Sequence, residues 1–511
     1  MKDIRLKIRK TALLGLALAC LPPSLLVGAE KLPGLGPLAG SFSLAVRTDP
    51  GPDRLPLSLY PKGGTPGFVN SSPALTEPDG PGSEPLLQKK RPWIAAVEVF
   101  GINAGVWAFD RYVLNNDFAR ISWKTWKANL RAGFAYDADW FYTNFFAHPY
   151  HGSTYYNAAR SHGLTFWESI PYAAGGSLMW EYFGENTRPS INDAIMTTTG
   201  GIFLGETLFR LSSQVLDDSA SGGNRIWREI VAALIDPIRG LNRVLSGEAW
   251  RTRSGTGQIR EPIHGNFAFS EKLVSETADL SHLKSSPGFE FDVIYGESLK
   301  EIESRSPMDL IILNSGLRIF EDDLQSHFNA YGLWLGKQFT SRKGTKNLLG
   351  LFQHFDYLRN ELTHMGDTAF TAGLISLVPL GKRFELNSSL QLGPVVFGAS
   401  NNKYTLVQQR DYNYGSGAVA EAEGWLSHPT LGTLMLSINH YQIYTFKAAA
   451  LSADVSHDYF TVFRTNYTIP FGPRLGLRLE YTLYARHLHF SGQSGYNSNE
   501  SLVGAALDFR F

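Results

Sequence analysis

The 511-residue chain has a single cysteine, Cys20, so no intramolecular disulfide can form and the body is held by burial and hydrogen bonding alone. Charge of one sign is not in excess. The 47 basic and 47 acidic residues cancel, which removes the electrostatic case for a nucleic-acid partner. No phosphate-binding P-loop, dinucleotide-binding glycine motif or Gly-x-Ser-x-Gly elbow occurs. Past the N-terminal region, no run of about 18 uninterrupted apolar residues occurs. The nearest, Trp93 to Phe109, contains Glu98 and Asn103, which speaks against an inner-membrane protein. Charged residues are scarce at 18% while aromatics reach 13%, a balance suited to a wall that faces lipid between aromatic girdles.

At the N-terminus, Lys2, Arg5, Lys7, Arg9 and Lys10 precede an apolar stretch from Thr11 to Val27, broken at Pro22 and Pro23. Val27-Gly28-Ala29 then supplies small residues for cleavage, so residues 1–29 are expected to be a signal peptide and Glu30 the mature start. Leu18-Ala19-Cys20 weakly resembles a lipoprotein box, with Ala17 where leucine is expected, and lipidation at Cys20 is the alternative. Residues 30–91 contain PGLGPLAG, DPGPD, PKGGTPG and EPDGPGSEP. Such composition cannot build a core, and a disordered linker is expected.

Residues 92–251 read as a helical domain. Pro92 suits a first helical turn, with Trp93 to Leu114 following. Further helical stretches are expected over Trp123 to Asn144, Thr165 to Phe183, Ser190 to Leu216 and Arg225 to Leu245. Ser190 is the N-cap of its stretch and Pro237 forces a kink in the last. Gly175, Gly176, Gly200, Gly201 and Gly205 each cost about 1 kcal/mol in a helix relative to alanine. Close helix-on-helix approach is the expected compensation.

From residue 265 to 511 the period changes to two. Phe289, Phe291, Val293 and Tyr295 alternate with Glu290 and Asp292. Leu475, Leu477, Leu479, Tyr481 and Leu483 alternate with Arg474, Arg478, Glu480 and Thr482. Polar residues on the second face are costly against lipid and should line a lumen. The fold class is therefore α+β: a helical domain followed by a C-terminal antiparallel transmembrane β-barrel of about 12 strands. The last strand alternates down to Phe509 and Phe511. It resembles the closing strand of a bacterial outer-membrane barrel, which implies that location, with outer-membrane lipid and the barrel-insertion machinery as partners.

Within the helical domain, HPYHG…YYNAAR, FWES, WEYFGE and PSINDAI…GG…LGE occur in order between Trp140 and Gly205 and just beyond, and DPIRGLNRVLSG spans Asp236 to Gly247. These motifs resemble the bacterial domain-of-unknown-function family 3943, found in diderm bacteria. The resemblance implies a domain and supplies no activity.

Several residues in this region carry chemistry. His148 and His151 place two imidazoles three apart and, with a carboxylate from Glu168, Glu181, Glu185 or Glu206, are the candidate ligands for a divalent metal, the one cofactor considered. The structural alternative is a proline- and glycine-shaped loop in which both histidines bond to backbone. Glu168, Glu181 and Glu185 are candidate catalytic carboxylates, since charge on an aromatic-rich helix is expensive unless paired or functional. Ion pairing with Arg160, Arg188 or Arg210 is the structural alternative. Arg160 and Asn157 are expected to anchor the HPYHG loop. Asn192 and Asp193 are candidate binding residues that also suit a helix start, and Asp137 and Asp139 could take a hard cation or begin a helix.

Two functions are consistent with this pattern. The first is a non-enzymatic outer-membrane barrel with a helical plug or periplasmic cap, serving envelope architecture, lipid handling or solute passage. The second is an envelope enzyme, lipid or glycan hydrolase-like, using the His/Glu cluster behind a rim of Trp167, Trp180, Tyr182 and Phe183.

Overall fold

The computed structural model describes residues 89–253, 260–275, 284–297, 299, 306–321, 323–341, 344–401, 412–447, 456–490 and 495–511. The expected signal peptide, Cys20 and nearly all of the linker lie outside the described residues.

Twelve antiparallel strands close into a barrel in sequence order. They are β1 Ile263–Ser275, β2 Lys284–Tyr295, β3 Ile311–Phe320, β4 Asp323–Thr340, β5 Lys346–Arg359, β6 His364–Leu380, β7 Phe384–Asn401, β8 Tyr412–His428, β9 Gly432–Lys447, β10 Ser456–Pro470, β11 Leu475–Phe490 and β12 Tyr496–Arg510. β1 pairs with β12 from Asn266↔Arg510 to Ser275↔Ser501, so no edge is left and the chain starts and finishes the wall at one end, here the proximal end. Strict alternation sorts the two faces. Leu390, Leu392, Leu436, Ile438, Leu479, Leu507 and Phe509 point outward and are exposed. Lys272, Glu290, Arg478 and Asp508 point inward and are buried, with Arg478 2.6 Å from Glu290 and Lys272 3.3 Å from the half-buried Glu480. Toward the distal end the interior turns apolar. Leu358, Met365, Val395, Val419, Tyr441, Ile443, Phe460 and Val462 pack together there.

The helices are α1 Pro92–Tyr112, α2 Trp123–Ala132, α3 His148–Ser161, α4 Phe166–Met179, α5 Ile191–Ile195, α6 Gly201–Val215, α7 Gly222–Ile235 and α8 Pro237–Leu245. Single π-helical turns lead into α3 (Thr143–Ala147), extend α4 (Trp180–Gly184) and join α5 to α6 (Met196–Gly200). Local sequence explains the boundaries. Thr165 and Glu168 form a reciprocal capping box before α4. Ser190 caps α5 through the Asp193 amide, and Asp236 caps α8 just ahead of Pro237. The expected Arg225–Leu245 helix is thus broken at its proline. Within the expected Trp123–Asn144 stretch, α2 ends at Ala132 and helical backbone returns at Phe141, ahead of the Thr143–Ala147 turn. The Pro92–Tyr112 helix is long and apolar enough to cross a membrane by length and composition, despite Glu98 and Asn103. Glu98 is tied to His162 at 2.9 Å and to Asn242 at 2.7 Å.

The HPYHG segment is helix rather than loop, with Pro149 in the first turn of α3. Helices α3 and α6 run side by side in the same direction, and Gly152 lies directly against Gly201 and Thr197. A Cβ on Gly152 would sit 1.7 Å from the Thr197 carbonyl oxygen. Gly176 and Gly205 likewise admit the rings of Tyr155 and Tyr156, whereas Gly175 meets nothing within 4 Å.

The helical domain neither plugs the lumen nor caps its mouth; it lies on the outside of the wall. The strand residues it packs against lie on the outward row, among them Val293, Tyr295, Ile311, Ala330, Phe355, Tyr357, Phe397, Tyr412 and Tyr414. The contact band climbs from the proximal end of β2 and β3, where Arg210 donates to the Pro307 carbonyl at 2.6 Å, to the distal end of β6–β8, where the Phe141 ring packs at a tilt on His364 with centroids 3.8 Å apart. The alternation that makes Phe291, Val293 and Tyr295 apolar therefore serves helix packing at these strands, not an exposed surface.

Candidate functional site

The densest polar group in the helical domain lies at its distal end, level with the first residues of β8. Asn144 Nδ2 reaches the hydroxyls of Tyr412 and Tyr414 at 3.0 and 3.2 Å and so fixes the group against the wall. His148, at the start of α3, sets Nε2 3.1 Å from Asp193 Oδ1 and 3.3 Å from Asp139 Oδ2. Asn192 Nδ2 lies 2.7 Å from Asp137 Oδ1 and 2.8 Å from Asn144 Oδ1. Glu181 accepts the Ser190 amide at 2.7 Å, and Glu185 accepts from the Trp180 indole at 2.6 Å and the Thr187 hydroxyl at 2.7 Å.

Burial opposes the charge of His148, but Asp193 and Asp139 outweigh it and raise its pKa well above the usual histidine value. Burial, then the charges of Asp193 and Glu185, pushes Glu181 far above the ordinary carboxylate range, so it is held protonated. His151 is different. Burial, reinforced by the neighbouring His148, lowers it to about 3, and it stays neutral with its Nε2 2.8 Å from the Tyr155 hydroxyl.

The structure therefore brings together Glu181, Glu185, Asn192, Asp193 and His148, and adds Asp139. It separates the others. His151 faces Tyr155 and Trp180 and does not pair with His148 around an ion. The ligand atoms of Asp139, His148 and Asp193 all lie within 4.8 Å of one another, so a divalent cation at this end would use those three, without His151. Their mutual hydrogen bonds account for the arrangement without one.

Glu168 is out on the surface at the proximal end of α4, engaged with Thr165 and with Lys90 at 2.8 Å, and takes no part in the cluster. Arg160 does not anchor the start of α3. It lies two turns or more along the helix and pairs with Glu206 at 2.8 Å, where Arg210 also donates at 2.7 Å. Asn157 is beside Asp236 at the α7–α8 junction. Arg188 donates to the carbonyls of Gly133 and Phe134 at 2.9 Å and pairs with no candidate carboxylate. The aromatic positions divide as well: Trp167 packs edge-on against Trp334 of β4, while Trp180 packs on His151.

Sequence reasoning offered Glu206 as a carboxylate for the His148/His151 pair and Arg160 and Arg210 as ion-pair partners; the structure pairs Glu206 with those two arginines instead, an anchor between helices and barrel that the sequence reading did not single out. Its signal was a lone glutamate in an apolar stretch with arginines four residues on and 46 residues back, which nothing in spacing distinguishes from a surface charge.

Inside the barrel, a cavity of about 190 Å³ is lined by Asp292, Asp356, Glu421, Glu423, Arg464 and Arg478, among others. Arg464 donates to Asn314 at 3.2 Å and Asn329 at 3.3 Å. The apolar layer lies on the distal side of this cavity.

Residues 133–238 match DUF3943, a domain of unknown function. The match runs from the end of α2 to the first turn of α8, so the DUF3943 segment holds the distal cluster, the Glu206 centre and most of the surface that meets the wall. No curated protein matches the chain. Among solved structures, the NanC porin is similar at 10% identity over 48% of this chain and 100% of its own, with a TM-score of 0.25. The COG4313 outer membrane channel from Pseudomonas putida F1 is similar at 9% identity over 50% and 96%, with a TM-score of 0.28. The P. putida toluene transporter TodX is similar at 7% over 49% and 89%, with a TM-score of 0.19. Likeness at this level leaves the activity of this chain open.

Proposed function

We propose that this chain is an outer-membrane protein whose helical domain lies in the lipid layer beside the barrel, and that the combined unit handles lipid rather than passing solutes. The observation that carries the reading is the inside-out chemistry of α7 and α8. Arg225 and Arg243 are buried, with Arg225 2.8 Å from Glu229 and Arg243 2.6 Å from Asp218, while Ile226, Ile230, Leu234, Leu241, Val244 and Leu245 are exposed. Water favours the reverse arrangement; lipid favours this one, because ionised side chains must pair within the protein.

The rest of the surface supports it. α1 exposes Trp93, Ile94, Val97, Phe100 and Phe109, and among its described residues no exposed charge falls between Trp93 and Phe109. Charges and aromatics gather at the two ends: Lys89, Lys90, Arg91 and Trp93 at the proximal end, and Lys124, Lys127, Arg131, Trp123 and Trp126 at the distal end. That distribution suits the two interfaces of a bilayer. The apolar belt then continues around the free wall of β9–β12 and β1, and outer-membrane lipid is the partner that covers it. The closed seam ending at Phe511, which stacks on Phe291 at 6.0 Å, suits recognition by the barrel-insertion machinery.

A role in lipid handling fits the apolar layer in the distal lumen and the distal cluster at the level of the headgroups. Each carboxylate of that cluster already has an internal partner, which favours a positioning and binding role over catalysis. Spin labels at Phe100 and Ile230, in lipid vesicles, test the placement. Collision with dissolved oxygen and protection from a water-soluble nickel reagent are expected at both positions, with the opposite at Lys127. Nickel access at Phe100 and Ile230 would remove the helical domain from lipid.

A further inference from the structure

The barrel interior contains a second group of titratable side chains, well apart from the distal cluster. Asp356 of β5 and Asp367 of β6 are direct cross-strand partners, and both point inward. Like charges set opposite one another destabilise a strand pair. Glu421 of β8 joins them, and His354 sits two residues before Asp356 on the same face. All four are at least nine-tenths buried, Asp367 completely. Asp356 accepts from Asn329 and from the Tyr441 hydroxyl, both at 3.1 Å, and Glu421 accepts from Asn439 at 3.2 Å. Neither oxygen of Asp367 has a hydrogen-bond partner. Among the described residues, no lysine or arginine forms a salt bridge with Asp356, Asp367 or Glu421; the nearby Arg464 donates to asparagine oxygens.

The histidine is oriented as a ligand. His354 Nε2 lies 2.9 Å from the Thr371 hydroxyl oxygen and 3.0 Å from Gln391 Oε1; Thr371 donates its own proton to Gln391 Oε1 at 2.8 Å, so a proton on Nε2 completes the set. Nδ1 is then a free lone pair; it has no hydrogen-bond partner and faces Glu421 Oε2 at 3.7 Å. A histidine whose second nitrogen donates to an outer partner is the usual arrangement of a metal-bound imidazole. Ligand atoms of His354, Asp356 and Glu421 all lie within 4.8 Å of one another, a span that a coordination shell of about 2.1 Å radius closes with small side-chain rotations.

We propose that His354, Asp356 and Glu421, with the unpartnered Asp367 beside them on β6, form a divalent-cation site in the barrel interior. One imidazole nitrogen with carboxylate oxygens suits Zn²⁺ or Mn²⁺ better than Ca²⁺, which prefers oxygen alone. The cavity of about 190 Å³, lined by Asp356 and Glu421, gives the ion its approach. The site ties β5, β6 and β8 together beneath the apolar layer, and it stands independently of where the helical domain resides.

The test uses the purified full chain in detergent, stripped with a chelator, reloaded with Zn²⁺ or Mn²⁺ and read by elemental analysis and by melting. One equivalent per chain and a raised melting temperature are expected. Asp367→Asn and Glu421→Gln keep the side-chain shapes and should weaken retention by about tenfold or more. Asp193→Asn, in the distal cluster, should leave it unchanged. The proposal is overturned by a wild-type chain that retains no ion, by Glu421→Gln retaining as much as wild type, or by loss of the ion on Asp193→Asn alone.

Discussion

Removing the Glu206 carboxylate should unfasten the helical domain from within. Glu206 is fully buried and accepts from Arg160 Nε at 2.8 Å, Arg160 Nη2 at 3.2 Å, the Tyr156 hydroxyl at 2.9 Å and Arg210 Nε at 2.7 Å. Both guanidiniums are nearly buried as well, and Arg210 extends the network to the barrel through the Pro307 carbonyl. In Glu206→Ala, two buried cations lose their shared anion. Breaking one buried pair costs about 3–5 kcal/mol, and here two pairs break, so a loss at or above the upper figure is expected. The same principle predicts recovery. Arg160→Met, Glu206→Leu and Arg210→Met together remove every charge and retain apolar volume, and the triple variant should return to within about 2 kcal/mol of wild type. Urea unfolding in detergent micelles, followed by tryptophan fluorescence, measures both. A Glu206→Ala loss below about 1 kcal/mol would refute the account, since that is the size of an exposed pair. A triple variant no better than the single one would show that the network's shape matters and its charge does not.

Stability should fall between about pH 5 and pH 9. His148 has a raised pKa, so its contribution is complete below the unfolded histidine value and is lost as pH rises through the folded one. Glu181 is also raised, so its folded form favours the proton and the cost of ionising it grows as pH climbs past the unfolded carboxylate value. Glu181→Gln should flatten the slope, and identical slopes in denaturation series at pH 5, 7 and 9 would contradict this. Gly152→Ala should lose about 1–3 kcal/mol, because its Cβ meets the Thr197 backbone, while Gly175→Ala, with open space around it, should gain up to about 1 kcal/mol in the same unfolding assay. Ile230→Arg should cost about 3 kcal/mol in vesicles and almost nothing if that face meets water, which folding titrations in lipid distinguish.

The barrel was legible in residue order because a strand's faces alternate regardless of what surrounds them. Glu290 and Asp292 had to oppose Phe289 and Phe291, and the closing run to Phe509 had to pair with something. Helix starts at Thr165 and Ser190 were equally local, since each cap is satisfied within one turn, and at Pro92 the proline itself suits the first turn. Alternation cannot say what covers the outward row, and that is why the expectation of a plug or cap failed. Val293 and Tyr295 are apolar for α6 as much as Leu436 and Ile438 are for lipid. The partners of the charged groups depended on tertiary packing entirely. His148 is joined to Asp193 across 45 positions, and Asp356 to Glu421 across three strands, because closing a wall and crossing two glycine-faced helices place distant residues within bonding range. Spacing along the chain carries no trace of either closure.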